Sequence, residues 1–214
     1  MSTLYRIDSS IQGDQSVTRE ITDKFERAWA EALPAGIVTR RDLLSTSLSP
    51  AVWTAALSAR ESGEHTPEQR AAVDLAATLA DEMLAADVIV VGAPLYNWGP
   101  SEHIKCWIDM LWTDPRFAPR TYPLSGKPVV LVVSRGGGAS PGAPQEGWDH
   151  SVPFLLRTFG ADVFGGEVTL IETELTLAAH SPAMAHLREK AVELRAQSHA
   201  TAAEIGTALA KAAA

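Results

Sequence analysis

The chain has 214 residues, 46% hydrophobic and 21% charged, which suits a single globular domain with a sizeable core. Its net charge of −8 argues against nucleic acid or an anionic membrane as main partner, and its single cysteine, Cys106, excludes a disulfide framework and a cysteine-based metal site. No signal-peptide pattern opens the chain and no apolar stretch approaches the roughly 20 residues that span a bilayer, so a soluble cytoplasmic protein is the default expectation.

Residues 3–8 read as a first strand, a poor one because Arg6 interrupts its apolar pattern. A small, polar loop follows, Ser9-Ser10-Ile11-Gln12-Gly13-Asp14-Gln15-Ser16-Val17-Thr18, with Ser16 a candidate N-cap. Val17, Ile21, Phe25, Ala28, Trp29 and Leu33 then fall at helical spacing, and Pro34-Ala35-Gly36 ends the helix. Residues 36–39 form a second short strand, 50–59 a short helix with Trp53 and Leu57 one turn apart, and 61–66 a polar loop. Thr66-Pro67-Glu68-Gln69 opens the next helix, with Thr66 as cap, Pro67 at the first position and Gln69 completing a capping box. Val73, Leu75, Ala76, Leu79, Met83 and Leu84 carry that helix to about residue 86.

The chain is organised around residues 87–112. Val88 to Val91 form an unbroken β-branched run, the pattern of a strand buried on both faces, and Pro94 stops it. Residues 95–100 read as a loop carrying Tyr96 and Trp98 around Asn97; Ser101 then caps a helix with Ile104, Ile108 and Leu111 inward. Residues 113–127 form an ordered connection in which Phe117 and Tyr122 require something to pack on. Residues 128–133 are another doubly buried strand, followed at once by Ser134-Arg135-Gly136-Gly137-Gly138 and a Gly- and Pro-rich stretch over 139–147. A helix over 148–159 turns Val152, Leu155, Leu156 and Phe159 inward, and 165–171 form the last strand. Ser181-Pro182 opens a final helix with Met184, Leu187, Ala191, Leu194, Ile205 and Leu209 as its apolar stripe and a fraying alanine-rich end.

Strands alternating with helices imply a doubly wound parallel sheet covered on both faces, α/β in class, within one domain spanning 1–214. In the five-stranded flavodoxin-like order 2-1-3-4-5, the loops after the first and third strands meet at the switch point, where ligands bind, with the loop after the fourth beside them. The first loop suits a phosphate, because Ser9, Ser16 and Thr18 offer hydroxyls beside the open amides of a helix N-terminus. Helix capping alone is the plainer account of those residues, and Asp8 or Asp14 would oppose an anion if either faced it. The glycines after Arg135 match neither a dinucleotide fingerprint nor a P-loop, but they permit close backbone approach to something flat. Tyr96 and Trp98 either border a planar ring or fill a sheet edge. The six histidines show no metal-ligand spacing, and Cys106 reads as a packing residue.

Taken together, Ser9-Ser10, the Ser16-x-Thr18 pair, Pro94-Leu95-Tyr96-Asn97-Trp98 and Ser134-Arg135-Gly136-Gly137 resemble the FMN-dependent NADH-azoreductase and quinone reductase family. Most of the chain shares the likeness, including Thr66-Pro67-Glu68-Gln69 and Ile104-Lys105. Leucine and tryptophan stand where the family's third-strand loop typically has methionine and phenylalanine. The resemblance implies a flavodoxin-like fold and a homodimer with two FMN sites at its interface. Ser9, Ser16 and Thr18, with the Val17 backbone, would hold the FMN phosphate; Pro94, Leu95, Tyr96, Asn97 and Trp98 would line the isoalloxazine ring, with the Asn97 backbone near flavin N5. Ser134, Arg135, Gly136 and Gly137 would reach its pyrimidine end, and Trp98, Phe117 and Tyr122 would shape a pocket for flat acceptors such as quinones or azo dyes. Also implied is a ping-pong transfer of two electrons from NADH or NADPH to a small aromatic acceptor, with the flavin carrying the chemistry and no catalytic side chain required. Three readings stand beside this one: a reductase dedicated to one biosynthetic acceptor, a flavodoxin-like electron carrier, and a dimeric binding protein that has lost its flavin. The first strand is more polar and the phosphate loop one residue shorter than the family pattern.

Overall fold

The fold is taken from a computed structural model that describes residues 1–46, 48–60 and 63–214. Glu61 and Ser62, part of the loop expected over 61–66, lie outside the described residues. Val88, Ile89, Val90 and Val91 are all buried in β3 (Val88–Gly92), the middle strand of a five-stranded parallel sheet. Its neighbours are β1 (Thr3–Asp8) on one side and β6 (Pro128–Ser134) on the other. The edges are β2 (Ile37–Asp42) beside β1 and β7 (Glu167–Thr173) beside β6. Counting only these strands, the spatial order is 2-1-3-4-5, the expected flavodoxin-like one.

Helices cover both faces, and the two-residue period of each strand divides the core between them. Tyr5, Ile7, Ile89, Val91, Val129, Leu131 and Val133 point into one cluster. It is completed by α2 (Pro50–Ala59), α3 (Pro67–Ala85), α4 (Glu102–Leu111) and α5 (Ser151–Phe159). Leu4, Val88, Val90, Val130, Val132 and Ile171 point the other way, onto α1 (Val17–Ala32) and α6 (Arg188–Ala212).

Helix starts follow the caps. Ser16, Ser49, Thr66 and Ser101 each accept a bond from the amide three residues on, satisfying an otherwise orphaned donor. Thr66 and Gln69 complete the expected capping box, and Ile104, Ile108 and Leu111 are buried.

Several boundaries move, each for a local reason. β2 continues past residue 39 to Asp42 because Arg40 and Arg41 are drawn to Glu26 and Glu82 while the backbone stays paired with β1. The expected loop over 95–100 is a hairpin, β4 (Leu95–Tyr96) with β5 (Gly99–Pro100). α5 begins at Ser151, not residue 148, because the Asp149 carboxylate accepts from the Ser151 and Val152 amides (2.7 and 2.9 Å). Leu156 is on its exposed side; Val152, Leu155 and Phe159 carry the buried stripe. β7 starts at Glu167, after Gly165 has turned the chain at φ +86°. The final helix opens with a 3-10 turn, Pro182–Leu187, and its buried positions are Ser198, Ala202, Gly206 and Ala210; of the larger apolar residues expected there, Ile205 and Leu209 are half-buried and pack against the same cluster. Its alanine-rich end, expected to fray, is packed: Ala210 is fully buried and Ser2 donates to the Ala213 carbonyl.

Arg6 explains the polar first strand. It points to the α1 face and is 5% exposed, with Nε 2.8 Å from Asp8 and Nη1 2.5 Å from Asp23 and 3.2 Å from Glu26. A buried guanidinium needs such partners, and α1 supplies two of the three carboxylates. Among the described residues no helix is long and apolar enough to cross a membrane.

Candidate functional site

Parallel strands in register bring three loops to one edge of the sheet. Asp8 pairs with Gly92, and Gly92 with Val132, so the chain leaves β1, β3 and β6 side by side at their carboxyl ends. Ser9 seals the first junction: its amide and its hydroxyl both donate to the Gly92 carbonyl, at 3.0 and 2.9 Å. Gly92 keeps that junction close, since a Cβ at that position would lie 3.0 Å from the Asp8 carboxylate.

The loop after β1 holds a cluster of hydroxyls. Ser9, Ser10, Ser16 and Thr18 are all buried. Ser16 Oγ and Thr18 Oγ1 are 3.0 Å apart, and Ser16 also accepts from the Arg19 amide. One bond between two hydroxyls uses one proton, which leaves the other for an acceptor such as a phosphate oxygen. Val17 and Thr18 begin α1, where first-turn amides have no intrahelical acceptor and the helix dipole favours negative charge. Asp8 does not oppose an anion here: its carboxylate is turned to Arg6 and Thr22 on the α1 face, with Arg19 at 3.8 Å. Asp14 lies exposed in a short 3-10 turn, Gly13–Gln15.

The loop after β3 meets this cluster directly. Pro94 is buried, and Leu95 and Tyr96 form the first arm of the hairpin. Tyr96 Oη lies 3.1 Å from Ser10 Oγ and accepts from the Ile11 amide at 3.3 Å. Asn97 and Trp98 are the two hairpin-tip residues, with φ of +49° and +63°. A two-residue hairpin turn of the primed kind needs positive φ at both positions, and asparagine followed by glycine meets that need most easily. Tryptophan takes the second position instead, at a cost of roughly 1–2 kcal/mol. Its ring is 44% exposed and stands edge-on to Trp148, centroids 5.6 Å apart. A cavity of about 780 Å³ opens beside the hairpin, bordered by Ile11, Tyr96, Asn97, His103, Lys105 and His150. That volume is in the usual small-molecule range, roughly 300–1,000 Å³.

The loop after β6 is tied to the opposite side. Ser134 ends the strand, paired with Thr173. Arg135 is buried, and its guanidinium is not turned outward to a ligand: it lies 2.6 Å from Asp149, 2.5 Å from Glu172 and 3.4 Å from Glu174. The Gly136 and Gly137 carbonyls accept from Leu177 and Leu175, and a Cβ on Gly136 would meet the Leu177 side chain at 2.7 Å. A second cavity, of about 830 Å³, lies between the Gly- and Pro-rich stretch and the start of the last helix.

Two expected pocket residues are elsewhere. Phe117 is 1% exposed and packs edge-on to Phe164 at 5.1 Å, so it has no face left for a substrate; it was legible as an aromatic seeking a partner, and that partner is the core. Tyr122 is exposed, but a Cβ on Gly165 would lie 3.0 Å from its Cβ, just before β7 begins. It therefore stands at the amino edge of the sheet, a full strand length from Trp98. Within one chain Trp98 is the sole member of that expected trio at the carboxyl edge. Ser10, Trp148 and His150 were not singled out by sequence as site residues, yet they make or border it: the His150 amide donates to the Trp98 carbonyl at 2.8 Å. Only the Ser9-Ser10 doublet signalled any of them in advance. Among the described residues no group of three or more His, Cys, Asp or Glu side chains is placed to hold a metal ion. Burial, with Asp109 and Glu102 nearby, pushes the Cys106 thiol up, which leaves it protonated and suits a packing role.

Comparison with known proteins agrees with this architecture. A family model described as a flavodoxin-like fold matches residues 2–197. An FMN-dependent NADH:quinone oxidoreductase of Streptomyces avermitilis is 37% identical over 207 residues, covering 95% of this chain and 94% of that relative. One of the same name from Kineococcus radiotolerans is 39% identical over 196 residues, covering 89% and 91%. Among solved structures, an azoreductase from Bacillus anthracis superposes with a TM-score of 0.78 at 21% identity, covering 97% of this chain and 99% of that one. An FMN-dependent NADH-azoreductase from the same species, solved in complex with FMN, gives 0.79 at 15% identity over 98% and 100%. At those identities the structural matches speak to the fold.

Proposed function

The chain belongs to the flavodoxin-like family of FMN-dependent NADH:quinone oxidoreductases, and on that premise we propose that this oxidoreductase binds FMN at the carboxyl edge of β1, β3 and β6 and reduces quinone or azo-type aromatic acceptors. The observation that carries the reading is the Ser10–Tyr96 contact, which joins the hydroxyl cluster at the start of α1 to the Asn97–Trp98 hairpin at the switch point of the sheet.

The residues present suit the group. Ser9, Ser16 and Thr18 with the Val17 amide would hold the phosphate, and the carboxylate nearest in sequence, Asp8, is already matched by Arg6. Pro94, Leu95, Tyr96, Asn97 and Trp98 would line the ring. Ser134 and the Gly136 and Gly137 backbone would approach its pyrimidine end, with Arg135 contributing its main chain only. Bound FMN would supply two-electron transfer, taking a hydride from NADH or NADPH and passing electrons to the acceptor in a second, ping-pong half-reaction. The protein's part is to bind, orient and present backbone N–H groups to negative charge. A homodimer with the sites at its interface and a cytoplasmic setting belong to the same reading.

The test is the visible absorption spectrum of the purified protein before and after anaerobic addition of NADH. Flavin bands that bleach are expected. No bands after reconstitution with FMN, or bands untouched by NADH or NADPH, would overturn the reading.

A further inference from the structure

We propose that Trp148 is a specificity-determining residue of the acceptor site, forming with Trp98 an aromatic wall for flat, fused-ring acceptors, and that Arg135 is the positioning residue that holds it there through Asp149. The inference deepens the function proposed above and rests on it for the identity of the site.

Two indoles are exposed together at the ligand-binding edge. Trp98 is 44% and Trp148 52% exposed, and they meet edge-to-face at 5.6 Å with 67° between planes. Neither fills the core: Trp29 and Trp107, by contrast, are fully buried. Trp98 sits in a backbone conformation that suits glycine, at φ +63°. A large side chain kept in such a place, and kept in solvent, points to use of the ring itself. Aromatic faces of this kind bind flat rings with little loss of freedom, because an indole has few rotatable bonds.

Trp148 is fixed from both ends. Its amide donates to Gln145, and Gly147 turns the chain before it at φ +78°. Asp149 follows, caps α5 with one oxygen, and meets Arg135 at 2.6 Å with the other. His150 then donates its amide to Trp98. The buried ion pair thus reaches from the end of β6 to the residue next to Trp148, and the hydrogen bond from His150 returns to Trp98. This gives the inward-turned Arg135 guanidinium a task that direct flavin contact does not require. It also gives the Gly- and Pro-rich stretch one: it delivers Trp148 to the hairpin.

The test uses the FMN-loaded enzyme and three variants. Binding of 2-naphthol, a fused-ring aromatic that accepts no hydride, is measured by titration calorimetry. Trp148→Ala is expected to weaken it about five- to tenfold, Asp149→Asn by a smaller factor, and Trp53→Ala, an exposed indole on α2, not at all. In steady state, Trp148→Ala should raise KM for a naphthoquinone by a similar factor and KM for ferricyanide, which does not stack, by a clearly smaller one. Equal binding by wild type and Trp148→Ala, equal losses with both acceptors, or an Asp149→Asn variant that binds like wild type would overturn the respective assignment. If NADH fails to bleach the wild-type flavin, the functional reading fails; the binding titration still decides whether the Trp pair is an aromatic site.

Discussion

Tyr96 Oη and Ser10 Oγ lie 3.1 Å apart, linking two loops separated by 86 residues in sequence. The same phenol accepts from the Ile11 amide, so one side chain sets the spacing of the two loops assigned to phosphate and ring. Tyr96→Phe removes both bonds at about 1 kcal/mol. The expected outcome is an FMN Kd raised about fivefold, read by fluorescence titration of the apoprotein. An unchanged Kd would mean that the backbone alone holds the loops.

Arg6 is the counter-ion of a carboxylate that is almost fully buried. Arg6→Met leaves Asp8 buried and largely uncompensated, and removing one partner from such a pair costs about 3 kcal/mol. Urea unfolding should show this loss, with part of it recovered in Arg6→Met/Asp8→Asn. A single variant within about 0.5 kcal/mol of wild type would place the network's weight on Arg19 instead.

Acid should weaken the fold from α1 and from the connection after α4. Burial pushes the Glu26 carboxyl up, but Arg40 and Arg6 outweigh it and hold it below its ordinary 4.5. The hydrogen bond from Arg116 holds Asp114 below its ordinary 3.8. Each folded pKa is depressed, so the folded state binds fewer protons than the unfolded chain over the interval between the two values. The stability from both groups is therefore complete above about pH 5 and is lost as pH falls through 4.5 and 3.8 toward the lower folded values. Replacing Arg40 with Gln should flatten the Glu26 part of that acid limb, seen as a smaller drop in Tm between pH 5 and pH 3.

Gly206 marks the closest approach of α6 to α1. A Cβ there would lie 2.5 Å from the Phe25 carbonyl oxygen. Gly206→Ala gains about 1 kcal/mol of helix propensity but forces backbone apart, a cost of about 1–3 kcal/mol. Because the obstacle is main chain, the cost should win, lowering Tm by a few degrees. A rise in Tm would show that the two helices separate easily.

Legibility varied with the range of the interaction that decides each feature. The Thr66–Gln69 capping box and the Ser101 cap were readable because their partners lie three residues away. β3 and β6 were readable because burial on both faces leaves an uninterrupted apolar run. The end of β2 beyond residue 39 is not legible locally because its next residues, Arg40 and Arg41, are matched by carboxylates on α1 and α3 that no local window contains. On α6 the expected Ile205 and Leu209 pack against the core only in part, because close helix packing selects small residues and the buried positions are Ser198, Ala202, Gly206 and Ala210.

By itself the sequence determined the class, the order of elements and the loops that carry the site, because strand burial, helix period and capping are local properties. Where those loops sit relative to one another, only the tertiary structure decided. Phe117 went to the core and Tyr122 to the far edge, while Trp148 arrived beside Trp98. Arg135 turned inward because Asp149, Glu172 and Glu174 converge on it from two other segments, and a buried charge goes where its counter-charges are.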